Sequence, residues 1–453
     1  MQPYKTIMIK YSGIFITFLL SVIAFEASAQ SAQSIATSSS PYSRYGLGTI
    51  DPALLPQNLG MGGIATAINR ISGYNNINPF NPASYALINF TTIDAGIYAD
   101  LSTFSQTGQP SSKNNNFRLS HVAFAIPITR HSAMSFGLLP YSEMGYNSIQ
   151  TKSNFGTGSP VDTNAVNDMF TGNGGISKAY LGYGFTVAKH LLIGANISYI
   201  FGNLQQFSST EVPNLYGTLN SRIEQDNSVG GFNYDYGVQY SIDFGEAKQR
   251  HLVFGYSGSA NSKINTTNTY IVSQYTYNNS GVENVAVDTI VNQRGIKDKI
   301  QLPQINHFGI SYQYDTHFII GADYSTGHWS ALTIAGVNQG FQDSKTINIG
   351  GQFTPDINSL HNYFARTDYR LGFIYDQTYL NLNNTNINTT AVTFGFGLPL
   401  APSNTNTAFY KINFSGEVGQ TGTVQNGLVR QKFVSLHLGF TLNDKWFQKF
   451  KFE

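Results

Sequence analysis

The chain has 453 residues, a formal net charge of +1 and no cysteine. Only 11 % of its residues are charged and 14 % are aromatic, where a soluble domain carries roughly 25 % charged residues. Near-neutrality without a basic stripe excludes a nucleic-acid partner; the missing cysteine excludes disulfides, thiolate chemistry, cysteine-bound metals and a lipoprotein anchor.

Lys5 and Lys10 precede an apolar run from Gly13 to Phe25, and Ala27-Ser28-Ala29 supplies a small-residue cleavage site. This predicts a signal peptide over residues 1–29 and a mature chain starting near Gln30. The run is about 13 residues long where about 20 are needed to span a bilayer, so it is not a retained anchor. No later run approaches that length, and any membrane residence must use strands.

Residues 30–89 do not alternate. They contain Leu59-Gly60-Met61-Gly62-Gly63-Ile64-Ala65 and then Asn78-Pro79-Phe80-Asn81-Pro82-Ala83-Ser84-Tyr85. Asn81 suits an N-cap and Pro82 the first position of a short helical turn. Gly62-Gly63 permits positive φ or close backbone approach where a segment folds tightly. Ala65, Ala67, Ile68, Tyr85, Leu87 and Ile88 make the segment too apolar for a solvated tail.

From residue 90 to 442 the pattern changes to period two. Ala179, Leu181, Tyr183, Phe185 and Val187 alternate with Tyr180, Gly182, Gly184 and Thr186, and Leu191–Phe201 repeats the grammar. Such a strand has one greasy face and one small or polar face. The runs are Thr91–Thr103, Arg118–Ile128, Ser132–Ile149, Ala179–Val187, Leu191–Phe201, Phe232–Phe244, Leu252–Ala260, Phe308–Tyr314, Phe318–Tyr324, Thr346–Phe353, Tyr369–Thr378, Ala391–Leu398, Tyr410–Glu417 and Val434–Leu442. The predicted fold is all-β and transmembrane: an antiparallel barrel of about 14 strands in an outer membrane. Short turns at Thr129-Arg130-His131, Ala188-Lys189-His190 and Asp315-Thr316 fall on one side, read as periplasmic. The polar stretches Gln150–Ser177, Asn261–Gln304 and Thr326–Lys345 fall on the other, read as outer loops. Residues 443–453, with Trp446 and Phe447, read as a short periplasmic extension.

One wall strand contains a proline, in Leu139-Pro140-Tyr141. Proline cannot donate a ladder hydrogen bond, so this predicts a local break in pairing in the third strand.

The order of these motifs, GMGG followed by NPAS directly before the first strand, resembles the FadL/PorV family of outer-membrane proteins in its Bacteroidetes-like form. Gly172-Asn173-Gly174-Gly175 is also similar to that family. The resemblance implies that residues 30–89 form a hatch plugging the barrel, with Gly60, Gly62, Gly63, Asn81, Pro82, Ala83 and Ser84 as its motif residues. Family members of the transporter type carry a kink in the third strand, which implies a lateral gate at Leu139, Pro140 and Tyr141. The implied function is passive uptake of hydrophobic small molecules such as long-chain fatty acids, with hatch-gated lateral exit. The alternative is a PorV-like barrel that docks or shuttles other envelope or secreted proteins. The partners are then the bilayer with its lipopolysaccharide, a hydrophobic ligand and, in the alternative, an envelope protein.

Motifs for chemistry are missing. There is no HExxH, no histidine pair at i, i+4, no P-loop and no Rossmann fingerprint, and Gly255-Tyr256-Ser257-Gly258 lacks the spacing of a nucleophile elbow. The expectation is a non-enzyme without cofactor or metal. Ionisable residues at inward positions, Asp94, Asp100, His307, Asp323, Arg370, Asp376, Lys411, Glu417 and His437, are expected to pair with one another or with the hatch, because a buried charge needs a partner.

Overall fold

The computed structural model describes residues 40–70, 75–152, 165–212, 215, 217–245, 249–278, 280–400 and 408–445. The expected signal peptide and residues 446–453 of the expected C-terminal extension lie outside these.

Fourteen long strands form the wall. They are β1 (Thr91–Ser105), β2 (Ser112–Thr129), β3 (Ser132–Lys152), β4 (Val166–Ala188), β5 (Leu191–Glu211), β6 (Asn220–Phe244) and β7 (Arg250–Ser259), then β8 (Ile305–Tyr314), β9 (Phe318–Gly327), β10 (Ser344–Phe353), β11 (Asp368–Leu382), β12 (Thr385–Pro399), β13 (Phe409–Thr421) and β14 (Arg430–Asp444). Each pairs antiparallel with its neighbour in sequence. β14 closes on β1 in unbroken register from Arg430↔Ser105 to Asp444↔Thr91. Closure of β14 on β1 removes the edges that the first and last strands would otherwise expose, which is what lets strands stand in hydrocarbon.

The period-two pattern sets which face points out. Leu181, Tyr183, Phe185 and Val187 of β4 are exposed, as are Ile197, Tyr199 and Phe201 of β5, while Leu192, Asn196, Ser198 and Ile200 are buried inside. Exposed Phe, Ile, Leu and Tyr recur on the outer face of the other strands, from Ile97 on β1 to Phe440 on β14. On a soluble protein this belt would be an aggregation surface; around a barrel it meets lipid tails.

Every expected strand is present, but several run further than their alternation. The stretch Gln150–Ser177, read as a loop, instead supplies the end of β3 and the first residues of β4, which begins at Val166. The Asn-rich stretch after residue 381 shrinks to a turn at Asn383-Asn384, both in the left-handed region. Asn261–Gln304, also read as a loop, contains a hairpin of Lys263–Tyr275 and Asp288–Gln301. Its first strand pairs with the outer half of β6, from Asn220↔Tyr275 to Gly230↔Asn265. The outward residues on these extensions are largely polar, as Ser221, Lys263, Asn265 and Thr267 show, so the hydrophobic alternation that marks a membrane strand is absent although the ladder continues.

Residues 40–70 and 75–90 lie within the wall. They form a 3-10 turn at Pro41–Arg44, a two-residue strand at Thr49–Ile50, a helical turn α1 (Pro56–Leu59) and a 3-10 helix at Pro82–Leu87. The last is capped as the sequence predicts: the Ala83 N–H donates to Asn81 Oδ1 at 3.1 Å, with Pro82 in the first helical position. Gly62 and Gly63 both take positive φ, 70° and 79°.

Candidate functional site

Two features make the site: the way residues 40–90 are seated, and a seam in the wall beside them.

The seat is built from glycines. A Cβ on Gly194 of β5 would stand 2.3 Å from the Pro82 carbonyl oxygen, and one on Gly237 of β6 would stand 2.0 Å from Asn81 Oδ1. On the far side a Cβ on Gly350 of β10 would come within 2.1 Å of the Met61 carbonyl, and one on Gly372 of β11 within 2.1 Å of the Gly62 nitrogen. Gly350 and Gly372 are register partners, as are Gly194 and Gly237. Only residues without a side chain let this backbone approach the wall so closely.

Polar side chains then fix it. The Ala65 and Thr66 N–H groups both donate to Asp323 Oδ2 of β9 at 2.8 Å. The Gly62 N–H donates to the Thr393 hydroxyl at 2.8 Å, and that hydroxyl donates to the Gly60 carbonyl at 3.2 Å. Ser311 and Gln313 of β8 donate to the Ala67 carbonyl at 2.7 and 3.1 Å. Asn81 Nδ2 reaches the Thr66 carbonyl at 2.6 Å, tying the NPAS turn to the GMGG turn. Buried backbone groups in non-repetitive structure need such partners one by one. Ser84 and Ala83 are fully buried against this seat.

The inward ionisable residues divide by level. Asp94 holds His121 at 2.7 Å and accepts from the Thr441 hydroxyl at 2.7 Å. Arg370 bonds Asp368 at 2.9 Å and Lys411 bonds the same carboxylate oxygen at 2.8 Å, a fully buried cluster below α1. Asp368 was not among the residues singled out in the sequence, since it stands at a strand end where alternation gives no signal. Asp100, His307, Asp376, Glu417 and His437 instead line a cavity of about 520 Å³ between residues 40–59 and the wall. At its long-loop end the cavity is roofed by apolar packing. Tyr42 and Leu47 join a buried cluster with Ile387 and Leu428, in which Trp329 stacks on Tyr379 at 4.3 Å. The Tyr42 hydroxyl donates to the Val429 carbonyl, and burial pushes its pKa up to about 12.

The seam lies between β2 and β3. Their ladder runs from Thr129↔Ser132 only as far as Val122↔Leu138. Beyond it, residues 112–121 of β2 and 139–152 of β3 have no pairing with each other. A bulge flanks the break on each side: Ser120 is the extra residue between Gly96↔His121 and Ile97↔Leu119, and Tyr141 the extra residue between Pro140↔Ser177 and Ser142↔Ile176. The predicted break in the third strand therefore falls at Leu139-Pro140-Tyr141, and it extends over the whole outer half of the strand. One imino acid does not account for that length.

The N-terminal segment supplies what β2 does not. Thr49 and Ile50 pair antiparallel with Glu143 and Ser142. The Asp51 N–H donates to the Tyr141 carbonyl at 2.9 Å, and the Ser40 N–H donates to the Gly145 carbonyl at 3.1 Å. The Gly145 N–H donates to the Ser43 hydroxyl at 3.0 Å. Side chains span the gap itself. Arg118 of β2 bonds Glu143 of β3 at 2.9 Å and Asp51 at 3.0 Å, and Asn116 donates to Glu143 at 2.7 Å. A second recess opens at the seam, lined by Arg118, Ser120, His121, Leu139, Pro140 and Glu143, all of which also line the inner cavity.

Comparison with known proteins follows this geometry. The fold is similar to that of the toluene transporter TbuX of Ralstonia pickettii, at 16 % identity over 87 % of this chain and 99 % of that one, with a TM-score of 0.53. It is similar to the toluene transporter TodX of Pseudomonas putida, at 12 % identity over 88 % and 99 % with a TM-score of 0.53. A FadL homologue of Pseudomonas aeruginosa matches at 12 % identity over 88 % and 100 %, with a TM-score of 0.52. At such identities the likeness concerns the fold: an outer-membrane barrel of FadL type. No curated protein sequence matches the chain. A family model described as BamG matches residues 8–453, nearly the whole length, and the chain belongs to the BamG family.

Proposed function

We propose that this protein is a passive outer-membrane channel for small hydrophobic molecules, which leave sideways through the seam near Leu139, Pro140 and Tyr141. The carrying observation is the β2–β3 ladder ending at Val122↔Leu138, with the inner cavity and the outer recess sharing the residues at that break. Phe117 and Leu119 on β2 and Leu138 on β3 are exposed on the outer face there, so the seam opens at the level of lipid. An unmade backbone hydrogen bond in hydrocarbon costs several kcal/mol; a wall left unpaired over half a strand calls for a reason, and lateral passage is one. Residues 40–90 act as the hatch, closing the conduit along the barrel axis and leaving the sideways route. The named functions of TbuX and TodX, toluene transporters, agree with this reading.

The test is uptake. Liposomes carrying the full-length chain should take up a labelled apolar compound faster than protein-free liposomes while remaining tight to small sugars. Deleting residues 31–85 should make them leak sugars in a swelling assay. Apolar uptake equal to that of bare liposomes would reject the channel; a tight deletion variant would reject the hatch.

The second reading, a barrel that docks an envelope protein, is favoured by a different feature. The hairpin of Lys263–Tyr275 and Asp288–Gln301 projects past the wall, and residues 280–290 are all exposed, with Val285 at 92 %. Excising residues 277–287 should leave uptake unchanged under the channel reading. A co-purifying envelope protein lost on that excision would instead support docking.

A further inference from the structure

Resting on the channel reading, we infer that the cavity takes an uncharged hydrophobic ligand, with at most a hydrogen-bond donor at its polar end, and turns away carboxylate amphiphiles. Six carboxylates line the cavity: Asp51, Asp100, Glu143, Asp235, Asp376 and Glu417. Two fixed cations line it, Arg118 and Lys178.

Both cations are already engaged. Arg118 lies between Asp51 and Glu143 at 3.0 and 2.9 Å, with the Tyr98 ring 4.8 Å from its guanidinium carbon. Lys178 Nζ meets Asp235 at 2.6 Å. Of the three histidines on the cavity two have a polar partner, while His437 is held by ring packing and its Nδ1 has no partner among the described residues. His121 is held by Asp94 at 2.7 Å, His307 faces the Ser325 hydroxyl at 2.6 Å, and His437 packs on the Tyr98 ring at 4.7 Å. An incoming carboxylate would have to break one of the two ion pairs, or settle for the single unpartnered His437 nitrogen in a confined space.

The other wall is lined by acceptors. Asp100 accepts from the Ser102 and Ser435 hydroxyls and Asp376 from Thr346. Glu417 stands beside Ser435, itself the register partner of Asp100. Among the described residues none of the three carboxylates has an ion-pair partner. A neutral chain ending in a hydroxyl could donate to their oxygens, whereas an anion of the same length would find no free Lys or Arg beside them among the described residues. Pairing decides the matter: a desolvated anion without a cation is disfavoured far more than a hydroxyl with an acceptor.

The test compares radiolabelled dodecanol and dodecanoate binding to the purified full-length chain at neutral pH, each corrected for partition into detergent micelles alone. Dodecanol should bind about tenfold or more tightly. Glu417→Arg stands beside Asp100, so it is combined with Asp100→Asn to leave the new cation without that partner; the double variant should raise dodecanoate affinity about tenfold and leave dodecanol nearly unchanged. If that variant does not fold, the wild-type comparison decides alone. Dodecanoate binding as well as dodecanol would overturn the inference while leaving the channel standing. Binding of neither would remove the channel reading and this inference with it.

Discussion

Arg118 on β2 and Glu143 on β3 form an ion pair of 2.9 Å across an interval of wall where the two strands exchange no backbone hydrogen bonds. Asp51 joins them from the N-terminal segment, so one guanidinium fastens two wall strands and the chain inside them. The relation ties the segment to the seam: movement of one loosens the other.

Replacing Arg118 by leucine should show this coupling. Each partner is about one-fifth exposed, so screening and water discount the pair to about 1 kcal/mol of local stability. Amide exchange should speed up together at residues 49–51 and 141–145, and remain unchanged in the β11–β14 ladder. Exchange altered on only one side would show that the three residues do not act as a unit.

The glycine seat makes a steric prediction. Gly194→Val puts side-chain atoms where the Pro82 carbonyl now stands, and overpacking of this kind costs about 1–3 kcal/mol. The wall does not need Gly194 for its ladder, so the variant should remain a heat-modifiable barrel on gels while the NPAS turn is displaced. Swelling assays should then register sugar leakage absent from the wild type. Thr267→Val, at an exposed strand position of the outer hairpin, serves as the control for surface effects.

Asp323 fastens the same segment electrostatically. Asp323→Ala leaves the Ala65 and Thr66 N–H groups without their acceptor, at about 1–3 kcal/mol for each buried group. Exchange of those two amides should rise by about tenfold or more, and Asp323→Asn, which keeps an acceptor oxygen, should recover most of the protection. Equal effects from Ala and Asn would point to charge rather than hydrogen bonding.

Orientation can be read with thiols, since the chain has no cysteine of its own. Single cysteines at Ser280 and Asn384, at the long-loop end, should react with an impermeant maleimide on whole cells. One at Lys189, in a turn at the opposite end, should not. The reverse pattern would invert the barrel and place the seam's free half toward the periplasm.

The wall was legible because lipid and lumen demand opposite side chains on alternate residues, as Leu181, Tyr183 and Phe185 against Gly182 and Gly184 illustrate. The outer half of β6 and the hairpin at residues 263–301 were not, because a strand whose outward residues meet water instead of lipid has no need of an apolar outer face. Asn81 and Pro82 announced their turn through local chemistry that any short peptide would share. Gly350 and Gly372 could be counted as inward glycines, but that they accommodate Met61 and Gly62 depends on a chain almost three hundred residues away in sequence. The same distance hid Asp323 as the acceptor for two amides of the N-terminal segment, and Arg118, which showed no pattern at all beyond a charge on a strand. Pro140 marked the seam. Its extent was set by something local sequence does not carry, the N-terminal segment standing in for β2.

The central claim is that hydrophobic molecules leave through that seam, and bridging it tests the claim most directly. Ser120→Cys and Pro140→Cys place one thiol on each side of the gap, two residues beyond the Val122↔Leu138 pair on either strand. Uptake of a labelled neutral hydrophobe into liposomes is measured with the thiols bridged by a short bifunctional reagent, and with each single variant capped by a monofunctional one. The account predicts that bridging abolishes uptake while both capped single variants retain it. Uptake undiminished across a bridged seam would contradict it.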